Sequence, residues 1–178
     1  GALHFDGLAD ISDGFWGGYD KKHRLEIMQD SNIGTFGTIS IIISLMLYVV
    51  ILNEINDLFL ISVFLIISSI LSRGIMGIIQ LTNQQAKKTG LLNYVSKENK
   101  IKYNILQILF ILIFTSAIII HLTNITILLK LLIVSFVIWA LLSLLYRKKI
   151  GGINGDCLGA SQVISEIIIL LTLYGINQ

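Results

Sequence analysis

Five long apolar runs constrain this chain more than any other feature of its sequence. They cover residues 36–52, 58–81, 103–122, 125–146 and 157–176. A helix needs about 20 apolar residues to cross a hydrocarbon core about 30 Å thick, and these runs reach or approach that length. Only 13% of the 178 residues are charged, whereas soluble domains average about 25%. The sequence therefore predicts an all-α fold, a polytopic integral membrane bundle of about five transmembrane helices that forms a single membrane domain over residues 1–178.

The basic residues between these runs predict how the chain is oriented. Lysine and arginine occur in segments 1–35, 82–102 and 147–156, but not in the connections 53–57 and 121–124. Cytoplasmic loops of membrane proteins carry the excess of these residues. We therefore expect a multi-pass protein of the cell membrane whose basic segments face the cytoplasm. Since the chain starts with glycine and shows no signal peptide, we also expect it to lack an N-terminal region.

Three aspartates in the opening segment give the strongest chemical signal. Asp6, Asp10 and Asp13 are spaced by four and then three, which places their carboxylates on one face of a helix. Like charges at this spacing repel, so we expect a cation to neutralise them, and an all-oxygen set suits Mg²⁺ better than zinc. The alternative is that they merely solvate the surface of an interfacial helix.

The surroundings of the aspartates favour phosphoryl transfer. His4 and several glycines, which let backbone amides approach a phosphate, lie among the acids, and the basic group Lys21 to Arg24 follows. Acids that hold a metal beside bases that hold phosphate oxygens are the usual combination for this chemistry. Further on, Asp30 is either another metal ligand or a cap of the first apolar helix, and Ser31 is an equally good cap.

Apart from Lys130, which lies near an outer end and can reach the interface, two charged residues lie inside the apolar runs, where each costs a few kcal/mol. Arg73 and Glu166 either pair with each other or with polar groups as structural contacts, or Arg73 contacts phosphate while Glu166 lines the pocket. The glycine-rich loop 151–156 precedes the last run, and such a loop before a helix is an anion site. In this loop, beside Gly155, Asp156 is either a helix cap or a second metal carboxylate.

Two motifs in this order resemble the adenosylcobinamide-GDP ribazoletransferase family, also called cobalamin synthase. The first is Gly-Ala-Leu-His-Phe-Asp-Gly-Leu-Ala-Asp-Ile-Ser-Asp-Gly at the start, continuing through 25–28 and 30–31. The second is the loop 151–160, which ends Gly-Asp-Cys-Leu-Gly-Ala, with Glu166 beyond it. Arg73 and residues 86–90 are similar to the family's middle section.

The resemblance implies a specific reaction. A membrane enzyme of this family joins adenosylcobinamide-GDP to α-ribazole or its 5′-phosphate, gives adenosylcobalamin or its 5′-phosphate, and releases GMP with Mg²⁺ as cofactor, the final nucleotide-loop assembly step of cobalamin biosynthesis. Its partners would be these substrates and the lipid bilayer, with an oligomer left open and no nucleic acid.

The resemblance also implies roles for individual residues. The metal would be held by Asp6, Asp10 and Asp13, and one aspartate or His4 would accept the proton of the attacking ribose hydroxyl. The charge on the departing GMP would be stabilised by Arg24 and Arg73. The remaining substrate-binding candidates are Asp30, Ser31, Gly155, Asp156 and Glu166.

Two other functions are weighed against this one. A phosphatidyltransferase that acts on a CDP-activated alcohol also uses membrane-helix aspartates, but it needs an arginine soon after the first Asp-Gly-x-x-Ala, where this chain has Asp10. A transporter would explain Arg73 and Glu166 but not the aspartates and glycines of the first segment.

Overall fold

Six helices make up the described part of the protein. The computed structural model describes residues 2–86 and 125–177, together with the isolated helical positions 106, 113 and 117. In chain order the helices are α1 (Leu3–Gly17), α2 (Lys21–Ile27), α3 (Thr35–Asn53), α4 (Leu58–Thr82), α5 (Ile125–Ile150) and α6 (Gly155–Ile176). Within these ranges the only extended pairing is an isolated bridge between Gln85 and Ile153. The predicted all-α fold is confirmed.

Four helices, α3 to α6, are long and apolar enough to cross a membrane. They coincide with four of the predicted spans, whereas of the predicted span 103–122 only the isolated helical positions 106, 113 and 117 are described. Large apolar side chains such as Met46 on α3 and Ile133 on α5 are 61% and 65% exposed, as expected for surfaces that face lipid. The chain is a multi-pass membrane protein.

The last turn of α5 carries Arg147, Lys148 and Lys149 and continues to Ile150, although the apolar run predicted a span that ends at 146. Basic side chains stabilise the negative end of a helix dipole, and this accounts for the extension. Tyr146 and Ile150, both fully buried, attach the turn to the core.

The polar residues of the opening segment predict that it lies at the water interface. In the structure its helix packs into the bundle. Helix α1 packs against α6 and α3 and buries Leu8, Ile11 and Phe15. Its glycines serve this packing: a Cβ added to Gly7 would lie 2.8 Å from the Asp156 carbonyl oxygen. The expectation that these glycines admit a phosphate is therefore wrong for Gly7, because the backbone of α6 occupies that space.

Several helix ends meet at what we call the polar end of the bundle: the start of α3, the ends of α4 and α5, the start of α6, and α2. Arg24 Nη1 donates to the Lys149 carbonyl (3.1 Å), and Arg147 Nε donates to Asn83 Oδ1 (2.8 Å). The three basic segments of the sequence lead into or out of this end, as far as they are described. The connection 53–57 lies at the opposite end of α3 and α4.

Candidate functional site

Four carboxylates lie near one another where α1 meets the start of α6: Asp6, Asp10, Asp13 and Asp156. Burial, and then the negative charges of the other three, together raise the pKa of Asp10 from its ordinary value of 3.8 to about 6. Asp6 is exposed and Asp10 is partly buried. The folded chain thus concentrates negative charge around Asp10 at a cost that a bound cation would remove.

Asp156 is positioned by the cap of α6. The cap is Asn154, whose Oδ1 accepts from the Cys157 amide (3.0 Å), while its Nδ2 donates to Asp156 Oδ2 (2.7 Å). Of the two alternatives predicted for Asp156, the helix cap is therefore wrong. Its carboxylate lies in the first turn instead, where the helix dipole favours negative charge.

Unlike the carboxylates of Asp6 and Asp10, the carboxylate of Asp13 accepts hydrogen bonds from backbone amides of another helix. Its Oδ2 accepts from the Gly34 amide (2.7 Å) and its Oδ1 from the Gly37 amide (2.9 Å). Both oxygens therefore satisfy amides at the start of α3, which otherwise lack partners within their helix. Asp13 ties α1 to α3.

The cap predicted for the first apolar helix is corrected by the same contact. The N-cap of α3 is Gly34 and carries no side chain for the purpose, so neither Asp30 nor Ser31 caps it. Asp30 instead accepts from the backbone amide of Asn32 (3.0 Å) and from its side-chain amide (2.8 Å), which is a local turn.

A cavity of ≈ 670 Å³ opens beside the aspartate face, between α1, the 28–33 loop and α3. Its polar wall includes Asp6, Asp10, Asp30 and Ser31 and the side chains of Gln29 and Asn32, and its apolar wall includes Phe5, Ile41 and Leu45. Four predicted site residues thus share one cavity. Its two walls suit a ligand with a charged part and an apolar part.

The donor chemistry of this cavity fits Mg²⁺ in its usual binding mode. Within residues 2–86 and 125–177, no three His, Cys, Asp or Glu side chains converge as a ready metal site. Proteins commonly hold Mg²⁺ with one or two carboxylates while water and substrate phosphates supply the other ligands. Asp6 and Asp10 can provide such a pair from the cavity wall.

The predicted phosphate contact Arg24 lies elsewhere, in the scaffold. Its guanidinium donates to the carbonyls of Gly18 (3.1 Å), Tyr19 (3.3 Å) and Lys149 (3.1 Å). The last contact satisfies a carbonyl at the C-terminal end of α5. Arg24 thus holds α2 against α5.

His4 lies on a different face of α1 from Asp6. At about 100° per residue it lies about 160° around α1 from Asp6, and its backbone packs where α1 meets Gly159 of α6. Gly155, another predicted site residue, is the exposed first residue of α6.

Arg73 and Glu166 belong to a separate polar cluster within the membrane-spanning helices. The carboxylate of Glu166 accepts from Gln162 Nε2 and interacts with the hydroxyl of Tyr48, on which the charge of Arg73 also acts. Arg73 Nη1 donates to the Ser69 carbonyl (2.9 Å).

Neither Arg73 nor Glu166 lines the cavity. Glu166 is ten residues beyond Asp156 on α6, or about 15 Å along the helix. No ion pair joins Arg73 to Glu166 among the described side chains, where the one ion pair is Lys22–Glu26. Of the structural alternatives predicted for these charges, contact with polar groups is the one observed.

Sequence reasoning missed Asn154, Tyr48 and Gln162. Asn154 carries a detectable signal, because asparagine three residues before the first buried position of a helix is a favoured cap. Tyr48 and Gln162 carry no local signal, since their importance comes from which helices pack together.

Comparison with known proteins decides the family. The profile of the cobalamin-5-phosphate synthase family matches residues 1–174. The chain belongs to this family. The match spans both sequence motifs, the cavity and the deep polar cluster.

Three curated relatives of this chain are named adenosylcobinamide-GDP ribazoletransferase. The Clostridium botulinum (strain Loch Maree / Type A3) protein is 37% identical over 97% of this chain and 68% of its own length. The Clostridium tetani protein is 35% identical over 96% of this chain and 66% of its own length, and the Shewanella amazonensis protein is 31% identical over 97% and 66%. The chain therefore spans about two thirds of the length of these relatives. No solved structure matches it.

Proposed function

We propose that this chain carries out the reaction for which its relatives are named. It would transfer the adenosylcobinamide-phosphate part of adenosylcobinamide-GDP to α-ribazole or its 5′-phosphate and release GMP. The product would be adenosylcobalamin or its 5′-phosphate. The structural observation that supports this proposal is the cavity in which Asp6 and Asp10 line one wall and apolar side chains line the other.

The reaction exchanges one phosphorus–oxygen bond for another. A ribose hydroxyl oxygen of the ribazole forms a bond to the phosphorus that bears cobinamide. The bond from that phosphorus to the bridging oxygen breaks, the bridging oxygen leaves as part of GMP, and the hydroxyl proton passes to water. Mg²⁺ held by Asp6 and Asp10 would supply neutralisation of the pyrophosphate charge.

The chain's own residues prepare this site. Asp156, fixed by Asn154, adds negative charge beside Asp10 and so strengthens the attraction for a cation. The Asp13 contact to Gly34 and Gly37 fixes α3 against α1, which sets the width of the cavity. The 28–33 loop supplies hydrogen-bonding groups for a phosphate ester or a sugar, including Ser31 and Asn32.

The membrane context completes the proposal. The protein would lie in the cell membrane with the polar end in the cytoplasm, because basic residues mark cytoplasmic segments. Both substrates would then reach the cavity from the cytoplasmic side. An oligomer is compatible with this arrangement.

The proposal is tested with the purified chain in liposomes that receive adenosylcobinamide-GDP, α-ribazole and Mg²⁺. We expect GMP and the joined corrinoid to form in equal amounts, to disappear with a chelator, and to fall at least about 100-fold in Asp10→Asn, as for loss of a major electrostatic contact. Glu26→Gln, an exposed acid on α2 paired with Lys22, is the matched control and should keep full activity. A folded chain that binds neither substrate and releases no GMP would contradict the proposal.

A further inference from the structure

A second pocket, of ≈ 350 Å³, lies at the polar end and shares no lining residue with the acidic cavity. It is lined by Thr82, Gln84, Arg147, Gly151 and Gly152. Among the described residues no carboxylate lines it, and its charged wall is the guanidinium of Arg147. Its chemistry is therefore opposite to that of the aspartate face.

Arg147 is held rigidly in this wall. Its Nε donates to Asn83 Oδ1 (2.8 Å) and its Nη2 to the Thr82 carbonyl (3.0 Å). Asn83 is itself buried and fixed, since its Nδ2 donates to Ser143 Oγ (3.0 Å) and to the Ile79 carbonyl (3.0 Å). Neither contact of Arg147 involves a negative charge, so within the described residues its positive charge is oriented but not neutralised.

The floor of the pocket is a turn that requires glycine. Gly151 adopts φ +75°, a conformation that costs little only for glycine. Gly152 lies directly against the backbone of segment 84–86. The next residue pairs with that segment: Ile153 N donates to the Gln84 carbonyl (2.9 Å), and Ala86 N donates to the Ile153 carbonyl (2.8 Å). A Cβ on Gly152 would clash with the Gln84 carbonyl oxygen, so the close approach of these two segments depends on its absence.

A lysine from another helix lies over this turn. The Nζ of Lys21 is so close to Gly151 that a Cβ there would lie 2.5 Å from it. An exposed lysine normally extends into water. Lys21 does not itself line the pocket, but its ammonium group lies against Gly151, which does, and it forms no ion pair within the described ranges. The nearest acid along the chain, Asp20, is engaged as the cap of α2 and accepts from the His23 amide (2.8 Å).

We propose that Lys21, Arg147 and the Gly151–Gly152 turn form an anion site that binds a phosphate group. Arginine and lysine together are the usual recognition elements for phosphate, one through a planar pair of donors and the other through a point charge. The phosphate belongs either to a soluble phosphate ester or to an anionic lipid headgroup, because the pocket lies where membrane-spanning helices end. The site does not depend on the proposed reaction and remains in place if that reaction is not catalysed.

The test uses the purified chain in nanodiscs, without divalent cations, and two variants. Lys21→Gln removes the ammonium group from the turn. Lys22→Gln removes the same charge from the next residue, which points to Glu26 and is 88% exposed. The thermal unfolding temperature is measured at increasing concentrations of inorganic phosphate in phosphatidylcholine nanodiscs at constant ionic strength. In a separate series it is measured at increasing phosphatidylglycerol content of the nanodiscs.

The apparent affinity for inorganic phosphate should be about tenfold lower in Lys21→Gln, the effect of one lost charge-assisted contact. If it is also unchanged in Lys22→Gln, the ligand is a soluble phosphate. Stabilisation by phosphatidylglycerol alone, with the same dependence on Lys21, supports a lipid headgroup. Equal losses in both variants would show a diffuse surface charge and overturn the site. The absence of any phosphate or phosphatidylglycerol effect in the unmodified chain would overturn it as well.

Discussion

Two aspartates one helical turn apart on α1 do different work. Asp10 faces a cavity among other negative charges, whereas Asp13 gives both oxygens to backbone amides of α3. Spacing alone makes them equivalent, because both lie on the same face of α1. The partners of Asp13, Gly34 and Gly37, are 21 and 24 residues away in the chain. The contact therefore depends on how α3 packs and cannot be predicted from a local sequence pattern.

Asp13→Ala should lower the free energy of unfolding by about 1–2 kcal/mol, because the amides of Gly34 and Gly37 lose their acceptor. The measurement is denaturant unfolding in detergent, with and without Mg²⁺. Asp30→Ala, which removes an exposed turn contact to Asn32, is the control and should change stability by less than about 0.5 kcal/mol. A loss for Asp13→Ala that appears only when Mg²⁺ is present would assign Asp13 to the metal instead.

The raised pKa of Asp10 predicts a pH-dependent gain from Asp10→Asn. In the folded chain the pKa is about 6, above the ordinary value of about 3.9 for the unfolded chain, so the folded state binds more protons in this window. Asp10 therefore favours folding when protonated at low pH, and this contribution is lost as pH rises through about 6.

With chelator present, Asp10→Asn should unfold at a higher temperature than the unmodified chain at pH 7.5, and the difference should vanish toward pH 4. Thermal unfolding at a series of pH values measures this. Glu26→Gln, which removes an exposed acid outside the cavity, is the control for the loss of one negative charge. A constant offset between Asp10→Asn and the unmodified chain from pH 4 to 8 would contradict the raised pKa.

Helix α1 shows where the limit of sequence reasoning lies for a whole element. Its helical character and its acidic face follow from residue spacing, but its packing against α6 does not. The polar residues of segment 1–35 predicted contact with water, whereas the opposite face buries Leu8, Ile11 and Phe15. Gly7, one of the glycines expected to admit a phosphate, is instead a contact point between α1 and α6, and Gly159 is its counterpart on α6.

Gly7→Ala should therefore move α1 away from α6 and lower stability by about 1–3 kcal/mol, the usual cost of overpacking. The clashing partner is the carbonyl of Asp156, and backbone cannot rotate aside. Gly17→Ala, where the nearest atom would be 3.5 Å from the new Cβ, is the matched control and should be neutral. Thermal unfolding of both variants, with turnover measured in parallel, distinguishes them; equal stability of the two would contradict the close contact.

The whole bundle was the most predictable feature of this protein. Four spans follow from local hydropathy alone, since only an apolar helix satisfies its backbone within lipid. Which helix ends share a side followed from the basic residues, and the contacts of Arg24 and Arg147 join those ends. These same two arginines were not predicted as scaffold, because their partners lie 125 and 64 positions away in the chain.

Cysteines introduced at opposite ends of the bundle should react with a maleimide reagent added on opposite sides of the membrane. In a Cys157→Ser background, Lys22→Cys marks the polar end and Asn56→Cys marks the 53–57 connection, and both positions are exposed. In intact cells a membrane-impermeant maleimide should label Asn56→Cys, and Lys22→Cys should react only after the membrane is opened. Labelling of Lys22→Cys in intact cells would reverse the proposed orientation.

The contact between Glu166 and its neighbours also bears on how the chain is inserted during synthesis. A lone glutamate in an apolar helix resists partition into lipid by a few kcal/mol. Its partners on other helices, Tyr48 of α3 and Ser72 of α4 through Gln162, leave the ribosome before α6. Because α3 and α4 provide polar partners before the glutamate arrives, we expect the integration of α6 to be coupled to the packing of α3 and α4.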